Sequence, residues 1–175
     1  MAGSALPQLR TERLRLRERT EVDLPALIDM EDEPQVVRFM SDGKPRNEEQ
    51  KREELRRKIH RKFGEEFGYW SVFAATDPYR FLGWVCLRPL LGYPEIELGY
   101  CFAPEARGHG YATEAGQACL GYAFNTLGLD EVVAVIHPEN RRSQSVIARL
   151  GFTQHGERLA YERQLGFYRL KRAPV

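Results

Sequence analysis

The chain has 175 residues and a mass of 20.2 kDa, which is the size of a single domain. Its 26 basic and 25 acidic residues leave a formal net charge of +1, which disfavours a globally basic protein that binds nucleic acid. Hydrophobic residues make up 42% of the chain, enough to build a core without metals or disulfides.

The first half of the chain is rich in charge and is predicted to begin with an edge strand. Leu14 and Leu16 alternate with arginines, so one face of this strand is apolar and the other is polar. Three helices are expected next, from Thr20 to about Met30, from Pro34 onward, and from Asn47 to Gly64.

The second half is richer in aromatic and β-branched residues and is predicted to contain most of the strands. A hairpin over residues 69–75 and 81–88 is expected to turn at Asp77-Pro78, and a further strand covers residues 95–102. The remaining elements are a helix over 113–127, a strand over 131–136, a helix over 141–150, and strands over 152–161 and 166–171.

This order predicts one α/β domain over residues 1–175, with residues 1–8 as a flexible N-terminus. We expect a mixed, mostly antiparallel sheet of seven strands, flanked by four or five helices. Parallel pairing is expected only across the strand–helix–strand unit at residues 96–136.

The cysteines and histidines suggest no metal site. Cys86, Cys101 and Cys119 are odd in number, widely spaced and set in apolar stretches, and the four histidines lack the spacing of metal ligands. No stretch approaches the roughly 20 apolar residues of a membrane span, and the first residues contain no long apolar run. We therefore expect a cytoplasmic protein with no metal, no membrane association and no direct contact with nucleic acid.

The most informative segment is a glycine-rich turn between a predicted strand and a predicted helix. Gly108 and Gly110 allow the main chain to turn sharply, and the helix that follows adds unpaired N–H groups and the positive end of its dipole. Such a turn can bind a diphosphate, and Arg107 adds charge-assisted hydrogen bonds worth about 1.5–3 kcal/mol each. The alternative is that the glycines only make a tight turn.

Other phosphate-binding loops fit this segment less well. A Walker loop would need a Gly-Lys-Ser/Thr ending, and a dinucleotide fingerprint would need Gly or Ala where Thr113 stands. Asp130 and Glu131 follow at a suitable distance, but they precede the next strand, whereas a ribose-binding acid lies at the far end of that strand. A domain that binds ATP or NAD is therefore a competing but disfavoured hypothesis.

The segment from Arg107 to Ala112, RGHGYA, resembles the Arg/Gln-x-x-Gly-x-Gly/Ala signature of the GNAT superfamily of acyl-CoA N-acyltransferases. Two further stretches resemble the RimJ/RimL-type branch, the ribosomal-protein N-acetyltransferases: TERLRLR at residues 11–17, and NRRS at 140–143 followed by LGF at 150–152. The resemblance covers residues 9 to 170 approximately. It implies acetyl-CoA as co-substrate and a sheet that is splayed open at its centre.

The resemblance also implies a set of residues that bind CoA. The diphosphate would be held by the amides of Arg107, Gly108, Gly110, Ala112 and Thr113. The pantetheine amides would pair with main-chain groups of Cys101, Phe102 and Ala103, as an added strand, and Asn140 would hydrogen-bond to the pantetheine arm.

Amide formation from a thioester needs a neutral amine, a donor to the developing oxyanion and a proton for the leaving thiolate. By resemblance Glu97, in Glu-Leu-Gly-Tyr, is the candidate base, with Glu95 in reserve; Glu97 could instead attract a cationic substrate or lie on the surface. Ser143 is the candidate proton donor to the thiolate, and could instead cap a helix. Cys101 lies in no readable pattern with a histidine, which disfavours a covalent acyl-enzyme.

The acceptor is expected to be a primary amine. An α-amino group with a pKa of about 7.8 costs about 1 kcal/mol to neutralise at pH 7, against about 4.6 kcal/mol for a lysine at about 10.4. We therefore expect an N-acetyltransferase that acts on a protein N-terminus or a small-molecule amine by direct attack in a ternary complex, as a monomer or homodimer. The alternative is a CoA-binding regulatory module without turnover.

Overall fold

The computed structural model describes residues 6–40 and 46–174, which form one eight-stranded sheet flanked by five helices within that part of the chain. The strands are β1 (Leu9–Arg10), β2 (Leu14–Glu18), β3 (Gly68–Ala74), β4 (Asp77–Pro89), β5 (Ile96–Phe102), β6 (Glu131–Ile136), β7 (Thr153–Ala160) and β8 (Arg163–Lys171). The helices are α1 (Leu24–Glu31), α2 (Pro34–Met40), α3 (Glu48–His60), α4 (Tyr111–Gly121) and α5 (Arg141–Arg149).

The strand order is β1-β2-β3-β4-β5-β6-β8-β7, and every neighbouring pair is antiparallel except β5 and β6. The single parallel pair confirms the prediction for the strand–helix–strand unit. β5 and β6 are in register at one position only, Glu97 opposite Val133. Beyond that point the two strands separate, so the predicted opening at the centre of the sheet is confirmed.

The prediction of seven strands is wrong by one. The additional strand is β1, which pairs with β2 through Leu9 opposite Leu16 and so takes the edge position that the sequence assigned to β2. Two residues are too few to show the period-two alternation on which a strand prediction depends.

Three local boundaries also differ from the prediction. The hairpin turn lies at residues 75–76, because Ala74 pairs with Asp77, and the Asp77-Pro78 pair begins β4. A 3₁₀ turn over Glu21–Asp23 precedes α1. α3 begins directly after Asn47, which is its N-cap, and ends at His60, before Gly64, where the sequence predicted its end.

Of the N-terminal residues expected to be flexible, residues 1–5 lie outside the described part of the chain. Leu6 is buried, and the carbonyl oxygen of Pro7 accepts a hydrogen bond of 2.8 Å from Trp70 Nε1. Among the described helices, none is long and apolar enough to cross a membrane.

The two faces of the sheet are covered differently. α4 and α5 pack on the face that carries Leu98, and this side holds the main hydrophobic core, including Trp70 and Ile147. Because side chains alternate along a strand, Glu97 and Cys101 point to the opposite face. There α1 and α3 form one small apolar cluster, and the β7–β8 hairpin contributes to another.

Candidate active site

A cavity of about 560 Å³ lies where β5 separates from β6. Its walls are the C-terminal half of β5, the glycine-rich turn, the start of α5 and part of α2. Most of the residues predicted from the sequence line it: Cys101, Phe102, Arg107, Gly108, Gly110, Ala112, Thr113, Asn140 and Ser143. Ala103 and Glu97 do not line this cavity.

The glycine-rich turn has the backbone geometry of an anion-binding loop. Gly108 and Gly110 have φ of 79° and 80°, in the left-handed region that favours glycine. The first helical hydrogen bond of α4 runs from Glu114 N to Gly110 O, so helix geometry leaves the N–H groups of residues 111–113 without intrahelical partners. Thr113 Oγ1 is buried and has no hydrogen-bond partner among the described residues. These donors fit a diphosphate.

The turn is tied to the N-terminal strands by one carboxylate. Glu114 Oε1 accepts hydrogen bonds from Thr11 Oγ1 at 2.5 Å and Arg13 N at 3.0 Å, and Oε2 accepts from Arg13 Nε at 2.7 Å. Arg13 Nη1 also donates to His109 O at 2.9 Å. We call this group of Thr11, Arg13 and Glu114 the turn clamp. The sequence does not indicate this contact, because Glu114 lies about 100 residues away from Thr11 and Arg13.

Arg107 and Ala103 are already bonded within the chain. The Arg107 guanidinium pairs with Glu33 at 2.8 Å and donates to Phe102 O at 3.0 Å, so its charge is shared with a carboxylate. The hydrogen bond from Arg107 lowers the pKa of Glu33. The Arg107 amide donates to Pro104 O, and Ala103 uses its N–H on Leu82 O and its carbonyl on Ala106 N.

Asn140, not Ser143, caps α5. Asn140 Oδ1 accepts a hydrogen bond of 3.2 Å from Ser143 N, so the interpretation of Ser143 as the cap is wrong. Ser143 lines the cavity, and its carbonyl oxygen accepts a hydrogen bond of 3.0 Å from the Tyr100 hydroxyl. Burial raises the pKa of Tyr100, which therefore remains protonated.

Glu97 lies on the other face of β5, within a polar group that the sequence did not reveal. Its side chain is buried, with the residue 4% exposed, which excludes the interpretation of a surface residue. Oε1 accepts a hydrogen bond of 2.7 Å from Arg88 Nε and another from the Tyr161 hydroxyl. Oε2 has no hydrogen-bond partner within the described part of the chain. One carboxylate oxygen is thus fixed and the other is available.

Arg88 and Tyr161 complete this group. Arg88 also contacts the hydroxyls of Tyr69 and of Tyr161, the latter from Nη2 at 2.9 Å. Burial and the neighbouring Glu97 carboxylate raise the pKa of Tyr161, so its hydroxyl is a donor at neutral pH. Tyr161 comes from the turn between β7 and β8, 64 residues after Glu97.

The reserve candidates are less suited to catalysis. Glu95 pairs with Arg158 at 3.0 Å and Arg169 at 3.3 Å; although burial opposes it, the hydrogen bond from Arg158 lowers the pKa of Glu95. Burial raises the pKa of Cys101 to about 12, so it offers no thiolate at neutral pH. Among the described residues, no group of three or more His, Cys, Asp or Glu side chains could hold a metal ion.

Comparison with known proteins shows to which class of protein this chain belongs. The family model described as an acetyltransferase (GNAT) domain matches residues 13–153. The uncharacterized protein YkkB of Bacillus subtilis is 32% identical over 85% of this chain and 86% of its own length. The FsC-acetyl coenzyme A-N(2)-transacetylase of Aspergillus fumigatus is 29% identical over 87% of this chain and 68% of its own. A crystal structure of an acetyltransferase from Agrobacterium tumefaciens has a TM-score of 0.78 and 29% identity, covering 95% of both chains.

The fold and the site therefore define a transferase that moves acyl groups. More narrowly, the chain belongs to the GNAT family of acetyltransferases, because the family model covers well over half of it.

Proposed function

We propose that the protein is an N-acetyltransferase that moves an acetyl group from acetyl-CoA to a primary amine by direct attack. The observation that carries this proposal is the cavity at the separated strands, which joins the donors of the turn to the open edge of β5. The TERLRLR and NRRS stretches further support assignment to the RimJ/RimL-type branch.

The residues of the cavity fit the parts of CoA. The free N–H groups at the start of α4 and the unpartnered Thr113 hydroxyl would hold the diphosphate. Main-chain groups of Phe102, on the edge of β5 that has left β6, would pair with the pantetheine amides, whereas those of Cys101 face β4 opposite Trp84 and could take part only by sharing. Asn140 would donate from its amide nitrogen, since Oδ1 is used on α5. Ala103 and the Arg107 amide could take part only by sharing groups that are already bonded.

Residues from both faces of the sheet line the cavity, and we assign the two proton transfers to opposite faces. Tyr100 and Cys101 both line the cavity although their side chains point to opposite faces. The amine would approach on the face of Glu97, and the thiolate would leave on the face of Ser143. Glu97 Oε2 would take a proton as the C–N bond forms, and the Ser143 hydroxyl would supply one as the C–S bond breaks.

The test is amine-dependent release of thiol from acetyl-CoA, with N-terminal peptides, amino acids, polyamines and aminoglycosides as acceptors. Glu97→Gln should lower kcat by about 10²–10⁴-fold, the usual contribution of a general base. Glu95→Gln is the matched control, because Glu95 precedes the same strand but is held by two arginines; its kcat should change by less than about threefold.

Three results would contradict the proposal in different ways. CoA binding without thiol release for any amine would favour the regulatory module. Equal kcat for Glu97→Gln and wild type would remove Glu97 as the base while leaving the activity intact. Failure to bind CoA at all, with binding of ATP or NAD instead, would overturn the proposal itself.

A further inference from the structure

A buried arginine without a full set of partners lies beside the proposed acceptor site. Arg19 directly follows β2, its N–H donates to Tyr69 O at 2.9 Å, and the residue is only 5% exposed. Its guanidinium carbon lies 4.3 Å from the ring centroid of Tyr69 and 5.0 Å from that of Trp84. Nε and Nη2 are buried and have no hydrogen-bond partner among the described residues.

The nearby acids do not neutralise Arg19. The Asp23 carboxylate accepts hydrogen bonds from the Arg17 guanidinium, at 2.6 and 3.0 Å, and from the Ser71 hydroxyl at 2.8 Å. Burial raises the pKa of Cys86 to about 11, so this neighbouring thiol carries no charge at neutral pH. An arginine stays protonated even when buried, and an unpaired buried charge costs several kcal/mol. The two aromatic rings offset only part of this cost.

The position of Arg19 relates it to Glu97. Arg19, Tyr69, Cys86 and Gly99 lie in one row across the sheet, and the next row on the same face begins with Arg88. The Arg88 guanidinium carbon is 5.4 Å from the Tyr69 ring that also contacts Arg19, so the two guanidinium groups share one aromatic ring.

Gly99 ends the row of Arg19 on β5 without a side chain, and Cys86 Sγ packs over it: a Cβ atom at this position would lie 2.9 Å from that sulfur, so a larger residue would not fit there.

The two arginines differ in one respect. Arg88 uses all three nitrogens, on Glu97, Tyr69 and Tyr161. Arg19 leaves unused the pair Nε and Nη2, which forms one edge of the guanidinium and matches the two oxygens of a carboxylate. Arg17 pairs with Asp23 and Arg88 with Glu97, so among the described residues Arg19 is the arginine of this group that has no carboxylate partner.

We propose that Arg19 binds a carboxylate of the acceptor, so that the acceptor is an amine that also carries a carboxylate within a few ångströms. This inference rests on the proposed function, because it places the acceptor on the face of Glu97. The same chemistry could come from a free amino acid or from a peptide with an acidic residue near its N-terminus, and the experiment separates these sources.

The experiment measures kcat and KM for matched pairs: each free amino acid against its amide, and each peptide with Asp or Glu at position two against its Asn or Gln counterpart. The carboxylate form should be preferred by at least about tenfold in kcat/KM, as expected for a charge-assisted bond of about 1.5–3 kcal/mol. For free amino acids this is a demanding test, because the amine of an amino acid amide loses its proton more easily. Without binding of the carboxylate, the amide would therefore be the better acceptor. Preference in either set supports the proposal and identifies the source.

Arg19→Met should abolish the preference, raising KM for the carboxylate forms while leaving KM for acetyl-CoA and rates with the amides within about threefold. Arg19→Lys keeps the charge without the two-pronged edge and should be intermediate. The inference is overturned if wild type shows no preference for the carboxylate form. It is also overturned if Arg19→Met lowers kcat/KM equally for the carboxylate forms and for their amides, because Arg19 then has a structural role.

A binding measurement keeps the inference testable without turnover. In the presence of CoA, N-acetylated amino acids or peptides should raise the melting temperature of wild type but not of Arg19→Met. Such binding without thiol release for any amine would overturn the proposed activity and support the Arg19 site. Turnover of amines with no dependence on a carboxylate would support the proposed activity and overturn the Arg19 site.

Discussion

Tyr161 has a backbone conformation that tyrosine seldom adopts. Its φ is 52° and that of Glu162 is 60°, and the flanking pair Ala160 and Arg163 closes a two-residue hairpin turn. A non-glycine residue in the left-handed region costs about 1–2 kcal/mol. The same residue places its hydroxyl on Glu97 Oε1, so the strained turn coincides with the proposed active site. We infer that Tyr161 positions the Glu97 carboxylate.

Replacing Tyr161 with Phe tests this role. Tyr161→Phe removes a hydrogen bond to a charged acceptor, so we expect kcat to fall by about tenfold while KM for acetyl-CoA stays unchanged. Tyr93→Phe is the matched control, because Tyr93 donates to Leu159 O at 2.7 Å on the same hairpin, away from Glu97. Equal loss in both variants would indicate damage to the hairpin, and no loss in Tyr161→Phe would show that the hydroxyl is dispensable.

Of the polar group formed by Glu97, Arg88 and Tyr161, the sequence indicated Glu97 but not the other two residues. Glu97 was predicted because it lies within a local motif four residues long. Arg88 lies on β4 and Tyr161 in the β7–β8 turn, 9 and 64 residues away, and only the pairing of β4 with β5 and the position of that turn bring them to Glu97. The spacing of apolar residues along the chain, or a short sequence motif, contains no information about neighbours that come from distant segments.

The elements around the glycine-rich turn were more predictable. Glycines with positive φ, the end of a strand and the start of a helix are all encoded within about ten residues, and α4 begins at Tyr111, two residues before the prediction. What the sequence did not supply was the attachment of this turn to β1 and β2. That attachment depends on the turn clamp, whose partners meet only in the folded sheet.

Glu114→Gln tests whether the turn clamp supports cofactor binding. The substitution removes the ion pair with Arg13 and weakens the hold on the His109 carbonyl, so we expect KM for acetyl-CoA to rise several-fold with little change in kcat. Glu12→Gln is the control, since Glu12 is exposed in the same segment. An unchanged KM in Glu114→Gln would mean that the turn keeps its shape without the clamp.

The same variant should alter the dependence of stability on pH. Although burial opposes it, hydrogen bonds from Thr11 and Arg13 lower the pKa of Glu114 below its usual 4.5. A carboxyl group whose pKa is lower in the folded state stabilises the protein above its unfolded pKa, and this contribution disappears as pH falls through the folded pKa. Wild type should therefore exceed Glu114→Gln in urea midpoint at neutral pH, and the difference should shrink below pH 4.5. A constant difference down to pH 3 would contradict this assignment.

The whole molecule consists of two groups of strands joined at the sheet by a single register pair. β1 to β5 lie on one side, and β6 to β8 lie on the other, with Glu97 opposite Val133 as the link. α4 and α5 bridge the two groups on one face, where Gly116 packs against Leu150 so closely that an added Cβ would lie 2.7 Å from Leu150 Cδ1. The cavity is bounded by β5, through Cys101, and by α5, through Ser143, and α5 in turn packs on β6 of the second group.

A ligand that fills this cavity should couple the two groups of strands. At 100 times its Kd, a ligand that binds only the folded state adds about 2.7 kcal/mol of stability, which corresponds to about 100-fold slower opening of the regions it holds together. We therefore expect added CoA to slow amide hydrogen exchange in residues 107–114 and also in residues 140–146, which lie across the opening. The tip of the β3–β4 hairpin, residues 75–79, should exchange as before. Protection confined to residues 107–114 would mean that CoA is held by its diphosphate alone, and the proposed path of pantetheine along β5 would be wrong.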